Sequence, residues 1–184
     1  MNRGDPLKHN KDGNMINKVK AAITALGIDS DFILCADDNV FMKDLDGCPT
    51  LYNDKTRNDF TVDRRKWHRR MVRTFDFLES RGIHLNHNYE VHAPQLFNGK
   101  AVLSALEGVD YESDIGYGIY TLFRGLCGET GGVDQRLFKT THETELSADD
   151  PLDRLFAGYN DNAFSHGLRE RLFSIFDKKS KYEE

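Results

Sequence analysis

Cysteine is scarce in this sequence, and the spacing of the few cysteines argues against a zinc-binding or disulfide-bonded protein. The chain of 184 residues has three cysteines, Cys35, Cys48 and Cys127, which are widely spaced and form no Cys-x-x-Cys pair. Such a pattern suggests neither a zinc site nor a disulfide framework. Reduced thiols in a cytoplasm are the simplest interpretation, so we expect a cytoplasmic protein.

Long apolar runs and an excess of positive charge are absent as well. No segment approaches the roughly 20 apolar residues that a membrane-spanning helix needs. The first fourteen residues, MNRGDPLKHNKDGN, lack the apolar centre of a signal peptide. The 25 Lys and Arg residues are outnumbered by 30 Asp and Glu, which gives a net charge of −5. We therefore do not expect nucleic-acid binding driven by bulk charge.

The patterns that are present indicate one α/β domain over the whole chain. Apolar residues at helical spacing predict helices over 15–26 and 63–81, the first of them closed by Gly27. Short apolar segments predict strands over 31–36 and 89–93. Because strands alternate with helices, we expect an α/β fold whose ligands bind beyond the carboxyl ends of the strands.

A helix cap and local composition predict a short helix, a buried segment and a loop. Asn98 is expected to cap a short helix that ends near Leu106. Residues 117–126 are aromatic and are expected to be buried. The polar segment 128–150, which contains adjacent glycines, is expected to be a loop.

Two adjacent carboxylates, Asp37 and Asp38, end the first predicted strand in the segment DFILCADDNVFMK. Two ionised carboxylates repel each other, and a divalent cation relieves that repulsion. Their oxygens suit Mg²⁺ or Mn²⁺, which also accept phosphate oxygens and neutralise a leaving diphosphate. Taken alone, the pair is more typical of a solvated turn or a helix cap.

A polar cluster of Lys11, Asp12, Asn14 and Lys18 stands at the start of the first predicted helix. A helix N-terminus with lysine nearby favours an anion, so these residues are candidates for binding an anionic ligand. An ordinary capped helix with exposed lysines has the same composition.

The segment YEVHAP brings together a carboxylate and an imidazole, Glu90 and His92. In a strand, both side chains point to the same face. A carboxylate beside an imidazole orients the ring and favours its charged form, which suits general acid–base catalysis. A structural hydrogen-bonded pair before the turn at Pro94 fits the segment equally well.

The first half of the long predicted helix is dense in arginine and lysine. Most such runs are solvated helix faces. Arg69 and Arg73 are four residues apart and share a face, so they are the pair that we expect to hold a phosphorylated or otherwise anionic acceptor.

In their shared order, these segments resemble a group of glycosyltransferases associated with phages and bacteria. The resemblance rests on the segments HNKDGNMINKV, DFILCADDNVFMK, the W…T…L…G pattern of the long helix, YEVHAP and SKYE. The group is similar to the Stealth family of sugar-phosphate transferases, whose members also place an acidic tip ahead of a His-x-Pro segment. The resemblance extends from Lys8 to Glu184.

The resemblance implies a GT-A-like nucleotide-sugar-binding domain and assigns roles to its residues. Asp37 and Asp38 would hold the metal and the donor diphosphate, and His92 would lie at the reacting centre. Lys11, Asp12 and Asn14 would border the nucleotide-sugar. Asp161, in a segment similar to a late Asn-Asp element of the Stealth proteins, is a further candidate, although a simple turn explains it as well.

The chain departs from the family pattern at two places. Ala36 stands where Asn or Asp usually precedes the acidic pair, which removes one polar ligand. The chain also begins close to the lysine segment, where GT-A-like proteins have earlier strands that bind the nucleobase. Either the chain is a fragment of a longer gene product, or a partner chain supplies the missing half, or the base is not bound as in the family. If the first strands are missing, a sheet edge is exposed, and we expect a homodimer or a complex with a partner chain.

The function expected from this resemblance is metal-dependent transfer of a sugar or a sugar phosphate from a nucleotide-sugar donor. His92, supported by Glu90, would act as the general base or as an electrostatic stabiliser. The alternative is a non-catalytic module that binds a nucleotide, a sugar or a protein partner. A metal-dependent phosphohydrolase would use the same aspartates, but the sequence has no recognisable nucleophile motif for it.

Overall fold

The computed structural model describes residues 5–36, 39–61, 65–128, 131–142, 154–159, 170, 172–174 and 176–178. Its helices and strands are, in chain order, α1 (Lys11–Leu26), β1 (Asp31–Leu34), β2 (Asn39–Phe41), β3 (Leu51–Tyr52), a first 3-10 helix (Arg57–Phe60), α2 (Lys66–Ser80), β4 (Gln95–Asn98), α3 (Gly99–Ala105), α4 (Ile119–Leu126), β5 (Val133–Asp134), a second 3-10 helix (Gln135–Leu137), β6 (Lys139–His142) and β7 (Phe156–Tyr159). This mixture of helices and small sheets is compatible with the expected α/β class.

The chain divides into two compact units. The first unit consists of Met1–Leu34, Cys48–Val91 and Gln95–Gln135, and the second consists of Cys35–Gly47, His92–Pro94 and Arg136–Glu184. The expectation of a single transferase domain over residues 1–184 stays a prediction.

Local chemistry explains both ends of α1. The side-chain oxygen of Asn10 accepts a hydrogen bond from the backbone N–H of Gly13 at 2.8 Å, as an N-cap residue does. At the other end, Gly27 adopts the left-handed conformation, with φ 60°, that commonly closes a helix. The predicted helix and its glycine cap are confirmed, with a start at Lys11 rather than at Met15.

The long predicted helix is also confirmed wherever the structure describes it. Residues 62–64 lie outside the described part of the chain, and α2 follows from Lys66. Its apolar stripe buries Met71, Phe75 and Leu78, because residues three and four apart share one face of a helix.

The main core of the first unit forms around α4. Every residue from Ile119 to Gly125 is buried, which confirms the expectation for this aromatic segment. The neighbouring α3 begins where predicted, since the Asn98 side chain accepts a hydrogen bond from the backbone N–H of Ala101 at 3.1 Å. The core side chains around α4 include Ile16, Val19, Ile23, Leu78, Tyr89, Phe97, Val102 and Leu106.

In the described part of the chain, the strands form three small sheets rather than one large parallel sheet. In the first unit, β1 pairs antiparallel with β4, and β3 pairs parallel with β5. In the second unit, β7 lies between β2, to which it is antiparallel, and β6, to which it is parallel. Asp31 and Ile33 are exposed, so β1 is not a buried central strand. The argument that ligands bind at the carboxyl ends of a parallel sheet therefore has no support here.

Two assignments from the sequence, a strand over 89–93 and a loop over 128–150, are wrong in the residues that the structure describes. Residues 89–93 are irregular, and the strand β4 begins only after Pro94, which lacks an N–H for a sheet ladder. The backbone N–H of Tyr89 is instead bound by the hydroxyl of Thr121 at 2.9 Å. The expected loop at 128–150 contains the strands β5 and β6 in its described residues.

None of the described helices combines the length and the apolar character that crossing a membrane requires.

Candidate functional site

The two predicted metal ligands and one catalytic candidate lie outside the described residues. These are Asp37, Asp38 and Asp161. Across the part of the chain that the structure does describe, no three His, Cys, Asp or Glu side chains are grouped so that they could hold a metal ion. The metal site therefore stays a prediction.

In the first unit, the start of α1 is tied to the segment that precedes α4. The Asn10 amide nitrogen donates to the backbone carbonyls of Tyr111 and Ser113 at 2.7 and 2.8 Å, while its oxygen caps α1. One buried side chain thus joins a helix start to a remote loop. The sequence contains only the local half of this signal, an Asn three residues before Gly13.

Asp12 and Arg70 form a partly buried ion pair beside this junction. Their side chains are 21% and 12% exposed, respectively. Arg70 also donates from Nε to the carbonyl of Ile115 at 3.1 Å. Sequence reasoning missed Arg70, although it is three residues from Arg73 and therefore shares a helix face with it.

The side chain of Glu90 lies at the start of α4, and its pKa is raised. Its Oε1 accepts a hydrogen bond from the backbone N–H of Thr121 at 3.0 Å, at a helix start where Gly118 offers no side chain. Burial, helped by the negative charge of Asp12, raises the pKa of Glu90 to about 8, although the hydrogen bonds from Thr121 and Tyr120 act in the opposite direction. Glu90 is thus mainly protonated at pH 7, close to an Asp12 that is paired with an arginine.

The other predicted donor-binding residues have structural partners or exposed positions. The Asn14 amide is bonded at both ends to the backbone of Leu7, at 3.0 and 2.9 Å. Lys18 forms an exposed ion pair with Asp5 at 2.6 Å, and Lys11 is exposed. Of these four residues, the structure brings Asp12 alone next to Glu90.

Of the two arginines that are expected to bind an acceptor, one has contacts within the protein and the other is exposed, and their role stays a prediction. The guanidinium of Arg73 donates to the Ser113 hydroxyl and to the carbonyl of Asp110, and it lies 4.3 Å from the centre of the Tyr117 ring. Arg69 is exposed. Arg73 therefore stabilises the loop before α4, which is a structural role.

His92 lies in the second unit, and its backbone is unusual. The residue is exposed, and its φ of 45° is the one positive φ among the described residues other than glycine. Its carbonyl accepts hydrogen bonds from the Asn39 amide nitrogen, at 2.7 Å, and from the Lys139 ammonium. Asn39 directly follows Asp38 in the chain.

The expected pairing of the Glu90 carboxylate with the His92 imidazole required a strand that the structure does not contain. It depended on a strand over residues 89–93, in which alternate side chains share a face, and that strand does not form. The Glu90 carboxyl is instead engaged by the first turn of α4.

A separate open cavity of about 350 Å³ lies in the first unit, between the first 3-10 helix and α2. Arg57, Phe75, Glu79 and His84 contribute to its wall. None of the predicted site residues that the structure describes is among the residues that line it.

Comparison of the chain with models of protein families, with curated proteins and with solved structures gives no match in any of the three.

Proposed function

We propose that this protein is a metal-dependent transferase of the glycosyltransferase or sugar-phosphate transferase class, built on a GT-A-like domain and using a nucleotide-sugar donor. One observation carries the proposal. The residue that follows the acidic pair, Asn39, is hydrogen-bonded to His92, 53 residues further along the chain. The two segments most characteristic of the resemblance therefore meet in the second unit.

In this proposal each segment has a separate chemical task. The carboxylates of Asp37 and Asp38 are hard oxygen donors, which fit Mn²⁺ or Mg²⁺. Such a metal, when bound, neutralises the charge on the leaving phosphate oxygens. The imidazole of His92 accepts the proton of an acceptor hydroxyl as its oxygen attacks the transferred sugar or phosphoryl group.

The residues of the first unit have supporting tasks in the same proposal. Lys11 is exposed at the start of α1, where the helix dipole favours a phosphate. Asp12 and Arg70 fix that helix start, and Glu90 fixes the start of α4. A homodimer or a complex with a partner chain belongs to the proposal as well, and sedimentation of the purified protein measures the oligomeric state.

A second candidate function is a module that binds a nucleotide or a sugar without turnover. One observation favours it. Asn14, Lys18 and Arg73, which are expected to contact ligands, instead bind other residues of the protein.

Calorimetry with UDP and GDP, with and without Mn²⁺, tests the binding step. We expect nucleotide binding that requires the metal and is lost in Asp38→Ala, because one carboxylate cannot replace the pair. Asp46→Ala, at an exposed aspartate eight residues further along the chain, is the matched control and should bind normally. Metal-independent binding that is unchanged in Asp38→Ala would refute the metal site.

Turnover of the nucleotide-sugar, by transfer or by slow hydrolysis, separates the two candidate functions. We expect His92→Gln to retain donor binding and to lower turnover by roughly 10²–10⁴-fold, the usual effect of losing an acid–base group. Binding without turnover in the unaltered protein would favour the module.

A further inference from the structure

We infer that Asn39, Lys139 and Gly158 form a lock that holds His92 in a left-handed backbone conformation and so orients its imidazole. Asn39 and Lys139 are positioning residues in this scheme, since they contact the backbone of His92. All four residues lie in the second unit. The inference rests on the proposed function for its catalytic part, and on the geometry for the lock itself.

The backbone of His92 is the first observation. A side chain at a φ of 45° is crowded by the neighbouring carbonyl oxygen, which is why residues other than glycine seldom adopt this conformation. Because His92 is exposed, burial of its ring does not compensate for the strain. Strained backbones of this kind persist only when the surrounding structure holds them, and they concentrate at functional sites.

The two side chains that bind the His92 carbonyl come from opposite sides of one strand. Asn39 belongs to β2 and Lys139 to β6, and β7 runs between them. The Asn39 amide donates to the carbonyl at 2.7 Å, and the Lys139 ammonium donates to the same oxygen. Two donors on one oxygen restrict the rotation of the peptide that follows His92, and thus restrict the direction of its side chain.

Gly158 provides the space in which the two side chains converge. It lies on β7 directly opposite Asn39. A Cβ atom at this position would lie 2.9 Å from Cε and 3.2 Å from Nζ of Lys139, and 3.7 Å from Nδ2 of Asn39. Any side chain here therefore displaces the end of Lys139 before it disturbs the backbone.

A cycle of thermal melts tests the lock without any ligand. In the unaltered protein we expect His92→Gly to raise the melting temperature by about 2 °C, since glycine relieves the strain. In the double variant Asn39→Ala/Lys139→Met, the chain is free to relax, and the same change should give no increase. The milder background Gly158→Ala replaces the double variant if the latter does not fold. An equal shift in both backgrounds, or a decrease in the unaltered protein, would overturn the lock.

Kinetics test the positioning role. Lys139→Met and Gly158→Ala should lower kcat by roughly 10–100-fold while changing the KM for the donor less than about twofold, because a misplaced base impairs proton transfer but not donor binding. Lys43→Met, at an exposed lysine of the same unit, is the control and should leave both constants unchanged. An unchanged kcat, or a rise in KM alone, would overturn the positioning role. Absence of turnover in the unaltered protein would instead refute the transferase proposal, and the melting cycle would still decide the lock.

Discussion

The carboxyl group of Glu90 does what an N-cap side chain normally does, although it comes from a distant part of the chain. The start of α4 has only Gly118 as its N-cap residue, and Glu90 supplies the missing acceptor for the N–H of Thr121. The site is poorly hydrated and close to Asp12, so the acid form is favoured. A structural task of this kind explains Glu90 without any contact to His92.

The raised pKa of Glu90 predicts a dependence of stability on pH. The group titrates near 4.5 in an unfolded chain and near 8 in the native protein. Between these values the native state keeps a proton that the unfolded state has lost, so the stabilisation is complete below about pH 4.5 and is lost as pH rises through about 8. Glu90→Gln, which imitates the protonated acid, should remove this decline.

Urea unfolding at several pH values between 5 and 8.5 measures the effect. The slope of the unfolding free energy against pH should be up to about 1.4 kcal/mol per pH unit steeper in the unaltered protein than in Glu90→Gln. Glu107→Gln, at an exposed glutamate, serves as the control. Parallel curves for the unaltered protein and Glu90→Gln would contradict the shift.

At the scale of elements, two asparagine caps differ in what else they hold. Asn98 caps α3 and has one further exposed contact, with Asp31. Asn10 caps α1 and also satisfies two carbonyls of the loop before α4. Loss of Asn10 therefore leaves buried acceptors without partners, whereas loss of Asn98 weakens only a helix start.

We expect Asn98→Ala to lower the unfolding free energy by about 1 kcal/mol, the usual value for an N-cap. Asn10→Ala should lower it by about 3 kcal/mol, because unsatisfied buried carbonyls add to the lost cap. Urea titration of both variants at one pH provides the comparison. Equal losses would mean that the loop finds other donors once Asn10 is removed.

The helices could be predicted because their signals are local. Spacing and caps that lie within a few residues of each other identify α1, α2 and α3. The apolar residues at 89–93 give the same kind of local signal, yet Tyr89 is buried in the core around α4 rather than by strand pairing, and its backbone N–H donates to the hydroxyl of Thr121. β6 was missed for the complementary reason, since its partner β7 is remote in sequence.

At the scale of the whole molecule, the sequence indicates residue types but not their partners. It singles out Asp12 within a polar helix start, and Glu90 and His92 between apolar residues. It cannot indicate that Asp12 pairs with Arg70, or that Asn39 binds His92, because such contacts depend on how distant segments meet. For the same reason, the sequence cannot show that Asn14 and Arg73 bind other residues of the protein, and it makes them look like residues that contact a ligand.

One helix of the first unit, α4, and one strand of the second unit, β2, differ in burial, and this difference predicts their hydrogen exchange. Amide protection follows local stability, which rises with buried apolar contact. In the first unit, α4 is buried from Ile119 to Gly125, and we expect its amides to exchange slowest. In the second unit, β2 is only half-buried or exposed, so its amides should exchange at least about tenfold faster. Exchange monitored by mass spectrometry at constant pH measures both. If β2 and β7 prove as slow as α4, the two units unfold together, and the single domain expected from the sequence would gain support.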